Sequence, residues 1–516
     1  MQFDLVIVGS GFGGSLLAMV ARRLGKSVLL LERGSHPRFA IGESTSPLMN
    51  LLIEELAHTY DLPRLLPLAT YGAWKRAYPE LGVGLKRGFT YWAQPFTHCP
   101  NRSDQLAVAA SPGDPCADTH WLRADVDHFL VNEAIALGAT YRDQTNMTTL
   151  KKTPTSWHIN DDEATFLVDA SGPHGFLHRH FGWRDIGFTG YPETHALYSH
   201  FRGVKTSVPC FTSLPRPLPS LETLVPRDEG RGVRGGPPYP LDAAASHHVF
   251  EGGWMWILPF DNGVTSAGIG VEAWLAEELN LAEGNAAAWQ RFLARFPLIQ
   301  AQFADAVPVE RWHYSAKIAF RTEHAVGEGF ALLPSAVGFI DPLFSTGMPL
   351  TLLGIQRLAK LLENGITPEG LAAYEATTFQ ELDWVAEFIA AHYACFGSFP
   401  HFAALTMYYF AAASYAELLR RLGQHDGSFC FLSASDPKFR QGIAWCRAHA
   451  RAPLPEFQGR IAADIAPKNV AGLADPAKQN GYGVDLEDVV RAAGKFGLTE
   501  AQMRQLIATA DWARCE

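Results

Sequence analysis

The chain has 516 residues, 47% of them hydrophobic and 19% charged, with a formal net charge of −10 at pH 7. That length buries a large core and supports two or more structural regions, and the charge content is ordinary for a globular protein. The acidic balance, with no dense Lys/Arg run and no zinc-knuckle spacing, argues against a nucleic-acid partner, because phosphate binding requires a basic face.

Phe3–Val8 predicts a strand entering a parallel sheet. Gly9-Ser10-Gly11-Phe12-Gly13-Gly14 follows at once, then a helix over Ser15–Leu24 and a second strand over Ser27–Leu31, which Glu32 ends eighteen residues after Gly14. Gly9 permits a tight turn, Gly11 lets backbone approach a pyrophosphate, and Gly14 allows close helix–strand packing. The helix N-terminus offers free N–H groups to phosphates, and Glu32 can accept from both ribose hydroxyls of an adenosine. Leu5–Ala21 is uncharged, yet Asp4 precedes it and it holds four glycines. It reads as a dinucleotide-binding turn rather than a signal or membrane segment.

Arg33–Arg38 leads into Ile41-Gly42-Glu43-Ser44-Thr45-Ser46-Pro47, a hydroxyl-rich turn carrying one acid. It suits cofactor hydroxyls and also reads as an N-cap ahead of Leu48–Leu52; both can hold together. Arg123 precedes a helix that runs through Glu133–Leu137 and stops at Gly138, and a surface arginine at a helix start is one account of it. Phe166–Gly172 is a short apolar strand ending in Asp169-Ala170-Ser171-Gly172. Leu214–His248, rich in Pro, Gly and charge, predicts a long loop, either a lid or an insertion.

In Trp254-Met255-Trp256-Ile257-Leu258-Pro259, alternation puts both indoles on one face of an extended segment, and Pro259 places it at a sheet edge or strand end. Asp341-Pro342, then Ser345-Thr346-Gly347 and Met348, predict a second strand–turn–helix element whose N–H groups face an electron-rich group or an anion. From Leu350 the chain turns helical. Leu382, Val385 and Ile389 share one face of a helix over Thr378–Tyr393, and Phe402–Tyr415 reads as a buried core helix or a pocket lining. Asp485–Trp512 predicts two short helices. The seven cysteines are scattered without a Cys-x-x-Cys pair, which points to free thiols, a reducing compartment and a cytoplasmic location.

The tryptophan segment resembles the W-x-W-x-I-P signature of flavin-dependent halogenases, with Leu258 in place of the isoleucine. The resemblance runs through most of residues 1–360 in family order: the glycine turn, Glu43-Ser44-Thr45, Asp169-Ala170-Ser171-Gly172, Trp-x-Trp, and Asp341-Pro342 with Ser345-Thr346-Gly347. It implies an α/β (α+β) glutathione-reductase/PHBH-type FAD-binding fold. An antiparallel substrate sheet is inserted at about 185–320 within a core of 1–360, and a helical substrate or lid region follows over 361–516. It also implies an FAD site at Gly9, Gly11, Phe12, Gly13, Gly14, Glu32, Arg33, Glu43, Ser44, Thr45, Arg123, Asp169, Gly172, Asp341, Pro342, Gly347 and Met348. Chloride or bromide would bind at Ser345, Thr346 and Gly347. No metal is implied.

In the family, reduced FAD with O2 and halide gives hypohalous acid, which a lysine relays to an electron-rich ring, while the two tryptophans keep substrate off the flavin. Lys86, in Lys86-Arg87-Gly88-Phe89-Thr90-Tyr91, matches the family's K-x-G-x-x-F/Y pattern; Lys75, in a Gly-Ala-Trp-Lys context, is the rival. Burial beside FAD would lower such a lysine's pKa and leave an amine able to capture the oxidant. Two departures stand out. Pro334-Ser335-Ala336 replaces the family's Gly-Asp-Ala, and Phe344 replaces the glutamate that tryptophan-specific members place before the serine. The second points toward phenol- or pyrrole-type substrates, with His98, His195 and His200 as candidate bases. One dinucleotide fingerprint and no NADPH domain imply FADH2 from a separate, transient flavin reductase, and an aromatic substrate that is free or carrier-bound, with no membrane partner. The competing expectations are an FAD monooxygenase or reductase of the same fold, and a flavin-binding protein without halogenating activity.

Overall fold

The computed structural model describes residues 1–95, 102–205, 239–240, 242–425 and 430–509. His98 and most of the expected 214–248 loop lie outside the described residues.

The strands β1 (Gln2–Val8) and β2 (Val28–Leu31) flank the helix α1 (Phe12–Arg23). The helix begins three residues before the expected Ser15, so Gly13 and Gly14 lie inside its first turn. A Cβ on Gly14 would sit 1.9 Å from the Gly9 carbonyl oxygen, and one on Gly13 would sit 2.9 Å from Thr351 Cγ2. The two glycines therefore let helix, turn and a distant helix close on one another. The helix α2 (Pro47–Thr59) starts as expected, with the Ser46 hydroxyl accepting from the Met49 N–H.

Next come β3 (Val83–Lys86), β4 (Gly88–Ala93), β5 (Gln105–Ala109), β6 (Asp118–Trp121), α3 (Arg123–Ala136), β7 (Thr140–Arg142), the hairpin β8 (Leu150–Lys152) and β9 (Trp157–Ile159), and β10 (Asp162–Asp169). In the first sheet β1 pairs in parallel with β2 and with β10, which pairs in turn with Phe330–Leu332. Val8 and Asp169 are register partners, so the glycine turn and the Asp-Ala-Ser-Gly end emerge side by side at the carboxyl edge, where ligands bind in open α/β sheets.

The second sheet runs through β11 (Thr194–Arg202), β12 (Ala245–Phe250), β13 (Gly253–Pro259) and β14 (Val264–Glu272), and it extends beyond 185–320 to include β4, β5 and Gly481–Tyr482. The tryptophan segment is β13, bonded on one side to β12 and on the other to β14. Pro259 does end the strand, but the strand is interior and not an edge. A proline at the last position removes only a terminal donor, so the ladder on both sides survives.

Alternation assigns the side chains. Trp254, Trp256 and Leu258 join the main core, while Met255 and Ile257 join a second core beneath the helices 273–278, 286–293 and 297–302. The indoles need space on β14, and their register partners there are Gly270 and Gly268. A Cβ on Gly268 would lie 2.4 Å from both the Trp256 ring and Tyr198 Cβ.

After the second strand–turn–helix element, the helices Gly347–Asn364, Pro368–Cys395 and Phe399–Arg421 complete the main core. The expected helix at 378–393 is part of a 28-residue one. The Phe402–Tyr415 stretch is the middle of a mostly buried core helix, and the C-terminal pair is Leu486–Arg491 and Glu500–Thr509. No helix among the described residues is long and apolar enough to cross a membrane. Cys116 is disulfide-bonded, against the expectation of free thiols throughout, whereas Cys395, Cys430 and Cys446 are free.

The substitution G268A forces Trp256 or Tyr198 to move and lowers unfolding stability by about 1–3 kcal/mol, the usual cost of overpacking. Denaturant titration of the cofactor-free protein, with near-ultraviolet circular dichroism reporting the indoles, measures it. An unchanged midpoint would contradict the packing described.

Candidate functional site

A cavity of about 1310 Å³ runs from the glycine turn to the tryptophan strand, above the roughly 300–1,000 Å³ of ordinary small-molecule sites. Gly9, Gly11, Phe12, Gly13, Glu32 and Arg33 line one end. A Cβ on Gly11 would come within 3.7 Å of Arg123, Asp127 and Arg38 side chains, so that glycine faces a basic cradle suited to a pyrophosphate. Arg123 is buried rather than exposed at the surface. Asp127 holds it at 2.8 Å, and it donates to the carbonyls of Ile41 and Gly42 at 2.9 and 3.0 Å.

Glu32 closes the ribose end. Its carboxylate accepts from the Gly34 N–H at 2.9 Å and the Ser10 N–H at 3.1 Å, and it pairs with Arg38 at 3.1 Å. Burial alone would raise its pKa, but these hydrogen bonds and the Arg38 charge outweigh burial and hold it down to about 2. It is a fixed anion able to accept further hydroxyls. Arg38 was not anticipated, because nothing in its local sequence separates it from Arg33.

The Glu43-Ser44-Thr45 turn has two sides. Glu43 and Ser44 line the cavity. Thr45 points away: its hydroxyl donates to the Thr119 carbonyl at 2.9 Å, and its own carbonyl accepts from Lys86 Nζ. His200 pairs with Glu43 at 2.7 Å, placing it against the cavity wall, whereas His195 bonds Tyr314 at 2.8 Å on the far sheet edge. Asp169 is buried and bonded to its own turn, accepting from the Ser171 and Leu177 N–H groups at 2.9 and 2.7 Å. It shapes the loop, and Ser171 and Gly172 face the cavity instead. Gly14, Thr45, Asp169 and Lys86 therefore lie behind the lining.

At the other end stand Trp254, Trp256, Asp341, Pro342, Ser345, Thr346, Gly347 and Met348, with His247. The indole centroids are 5.6 Å apart, and His247 lies 5.5 Å from Trp254. Asp341 is buried between Tyr393, whose hydroxyl donates to it at 2.8 Å, and the Leu343 N–H at 2.9 Å. The Trp254 indole N–H approaches the same carboxyl without reaching hydrogen-bond geometry. Burial pushes Asp341 up to about 7 against these donors.

Ser345 holds φ at 55°, left-handed backbone that a serine adopts at a cost of order 1 kcal/mol and that recurs in ligand-binding turns. It delivers the chain into the helix at Gly347. Ser335 reaches the cavity from a short helix, Pro334–Val337.

Phe344 packs in an aromatic cluster, 4.7 Å from both Tyr409 and His392, with Tyr91 at 6.1 Å. Lys86 is fully buried beside that cluster, its Nζ 3.7 Å from the Phe89 ring centroid. Asp118 is its cross-strand partner. Burial lowers the lysine and raises the aspartate toward each other. Lys75, by contrast, is about a third exposed and paired with Asp261. Amine acylation at mildly alkaline pH, followed by peptide mass mapping, should modify Lys75 and spare Lys86 until the chain is unfolded. Modification of Lys86 in the folded protein would contradict its burial.

The cavity fits FAD: a glycine cradle with adjacent guanidinium groups, a ribose-side anion, and a helix N-terminus at the far end. A family model described as tryptophan halogenase matches residues 223–396, and one described as an NAD(P)-binding Rossmann-like domain matches residues 7–78. The monodechloroaminopyrrolnitrin halogenase PrnC of Pseudomonas fluorescens is 29% identical over 423 residues, covering 77% of this chain and 69% of that protein. The tetracycline 7-halogenase of Kitasatospora aureofaciens is 27% identical over 414 residues, covering 77% and 71%. The crystal structure of the halogenase PltM with phloroglucinol and FAD superposes with a TM-score of 0.78 at 22% identity, over 92% of this chain and 99% of that one.

Proposed function

We propose that this chain, which belongs to the flavin-dependent halogenase family and is an FAD-dependent oxidoreductase, halogenates an electron-rich aromatic ring through Lys86. The observation that carries the reading is the two-sided turn: Glu43 and Ser44 face the cavity, and Thr45 bonds the buried Lys86 behind it. Bound FAD, delivered reduced by a separate flavin reductase, supplies with O2 and chloride or bromide the hypohalous oxidant.

The chain's own groups do the rest. The Arg123–Asp127 pair, Arg38 and the Gly11 turn hold the pyrophosphate, and Glu32 holds the ribose. The backbone at Ser345, Thr346 and Gly347, ahead of the helix, holds the halide. Trp254 and Trp256 stand at the end of the cavity, so a ring held beyond them stays off the flavin. The relatives are named as halogenases of monodechloroaminopyrrolnitrin and of tetracycline. With Phe344 in place of an acid, the substrate is a phenolic, pyrrolic or indolic ring that activates itself. We assign residues 1–360 to the FAD core and 361–516 to the helices that set substrate choice. The substrate is an aromatic molecule, free or carrier-bound, and the setting is cytoplasmic.

Chemically reduced FAD, O2 and bromide with a panel of phenols, pyrroles and indoles should yield brominated products by mass spectrometry, and oxygenated products would favour a monooxygenase instead. K86A should abolish bromination, by at least about 100-fold if the amine is the relay, while reduced FAD is still consumed. K75A should brominate normally; loss in K75A alone would move the relay to that lysine.

A further inference from the structure

Lys86 and Asp118 are register partners in the β3–β6 ladder, 0% and 4% exposed, and Lys86 Nζ donates to the Thr45 carbonyl. Asn50 donates to Asp118 Oδ1 at 2.7 Å, while Oδ2 has no hydrogen-bond partner among the described residues. Other groups also face this enclosure. His120 comes from β6 itself, His247 from β12, and Tyr409, Glu417 and Arg421 from the helix Phe399–Arg421. Burial, followed by the Lys86 charge, keeps both histidines neutral. Arg421 is paired with Glu417 at 2.8 Å and with Glu54 at 3.7 Å. Lys86 and Asp118 are the two ionisable register partners inside the enclosure.

Resting on the reading of Lys86 as the relay, we propose that Asp118, clamped by Asn50, is a positioning residue that shares one proton with Lys86 and so sets the pH at which the amine becomes neutral. Two opposite ionisable groups buried together hold either an ion pair or a neutral pair, and a single uncompensated charge is the costly state. With the proton on Asp118, Lys86 has a free nitrogen lone pair.

That lone pair attacks the halogen of hypohalous acid, which the proposed activity supplies. The N–X bond forms, the O–X bond breaks, and the departing hydroxide takes an amine proton to leave as water. The arene π electrons then form the C–X bond as N–X breaks, and the ring proton returns to the Lys86 nitrogen. An ammonium cannot begin this sequence.

The test uses FAD-free protein labelled with 13C and 15N in lysine, with the Lys86 side-chain signal assigned by its loss in K86R. In D118N the side-chain volume and the Asn50 contact persist while the charge is lost. The Lys86 titration midpoint should then fall by about one pH unit or more, and the acid limb of the bromination pH profile should move the same way. A folded D118N with an unchanged Lys86 midpoint overturns the proposal. Should D118N fail to fold, N50L, which frees the carboxylate to take the proton, is read in the same direction, and no shift there also overturns it. Bromination persisting in K86A would sink the relay reading alone, because the NMR titration decides the pairing independently of it.

Discussion

Everything at the reactive end of this molecule depends on two glycines opposite two tryptophans. Trp254 and Trp256 lie on an interior strand, and their register partners on the next strand are Gly270 and Gly268. Side chains at those positions would stand where the indoles now lie. Because the space is vacated, the rings lie against the sheet and form a continuous wall with His247. Directly opposed residues on one sheet face compete for the same volume, so the wall belongs jointly to both strands. The opposite face of β13 anchors it by burying Met255 and Ile257 in a separate core.

A wall needs a controlled way around it, and the Glu43-Ser44-Thr45 turn supplies the connection. Its first two residues border the cofactor cavity, and the third bonds both to β6, through Thr119, and to Lys86. Thr45 thus joins the cavity-side residues to Lys86, whose Nζ donates to its carbonyl. The His200–Glu43 pair braces the turn from the second sheet. Coupling through such a short, doubly bonded turn needs no large conformational change.

What was legible in the sequence was local. The glycine turn, Glu32, the Ser46 cap and the alternation of Trp254 and Trp256 are set by neighbours a few residues apart, and each stands where the pattern put it. The sheet position of β13 was not legible, because Pro259 reports on one missing donor and says nothing about which strands flank the rest. Arg123 was open to a surface reading since its buried partner Asp127 is also charged and polar in pattern. Asp118 and Asn50 escaped altogether: their hydrogen bond spans 68 residues, and only the β3–β6 register brings Asp118 opposite Lys86. The surroundings of Phe344 were not legible, because its aromatic neighbours come from β4 and from two helices more than forty residues downstream.

Under the proposed function, the cost of burying Lys86 is met for chemistry rather than for stability. A buried ion pair is commonly no more stabilising than apolar residues of similar volume, since desolvation cancels the Coulombic gain. The surroundings here are already apolar and aromatic, with Phe89, Tyr91, Phe344 and Tyr409 in contact with one another, so a methionine at position 86 would pack without an ionisable partner. Keeping a lysine instead obliges the fold to provide Asp118, and Asp118 in turn obliges it to provide Asn50. Three buried polar residues on three elements are held together around one amine. Packing alone would select against each of them, so the demand that retains them is for an amine in an enclosure too apolar to hold its charge alone.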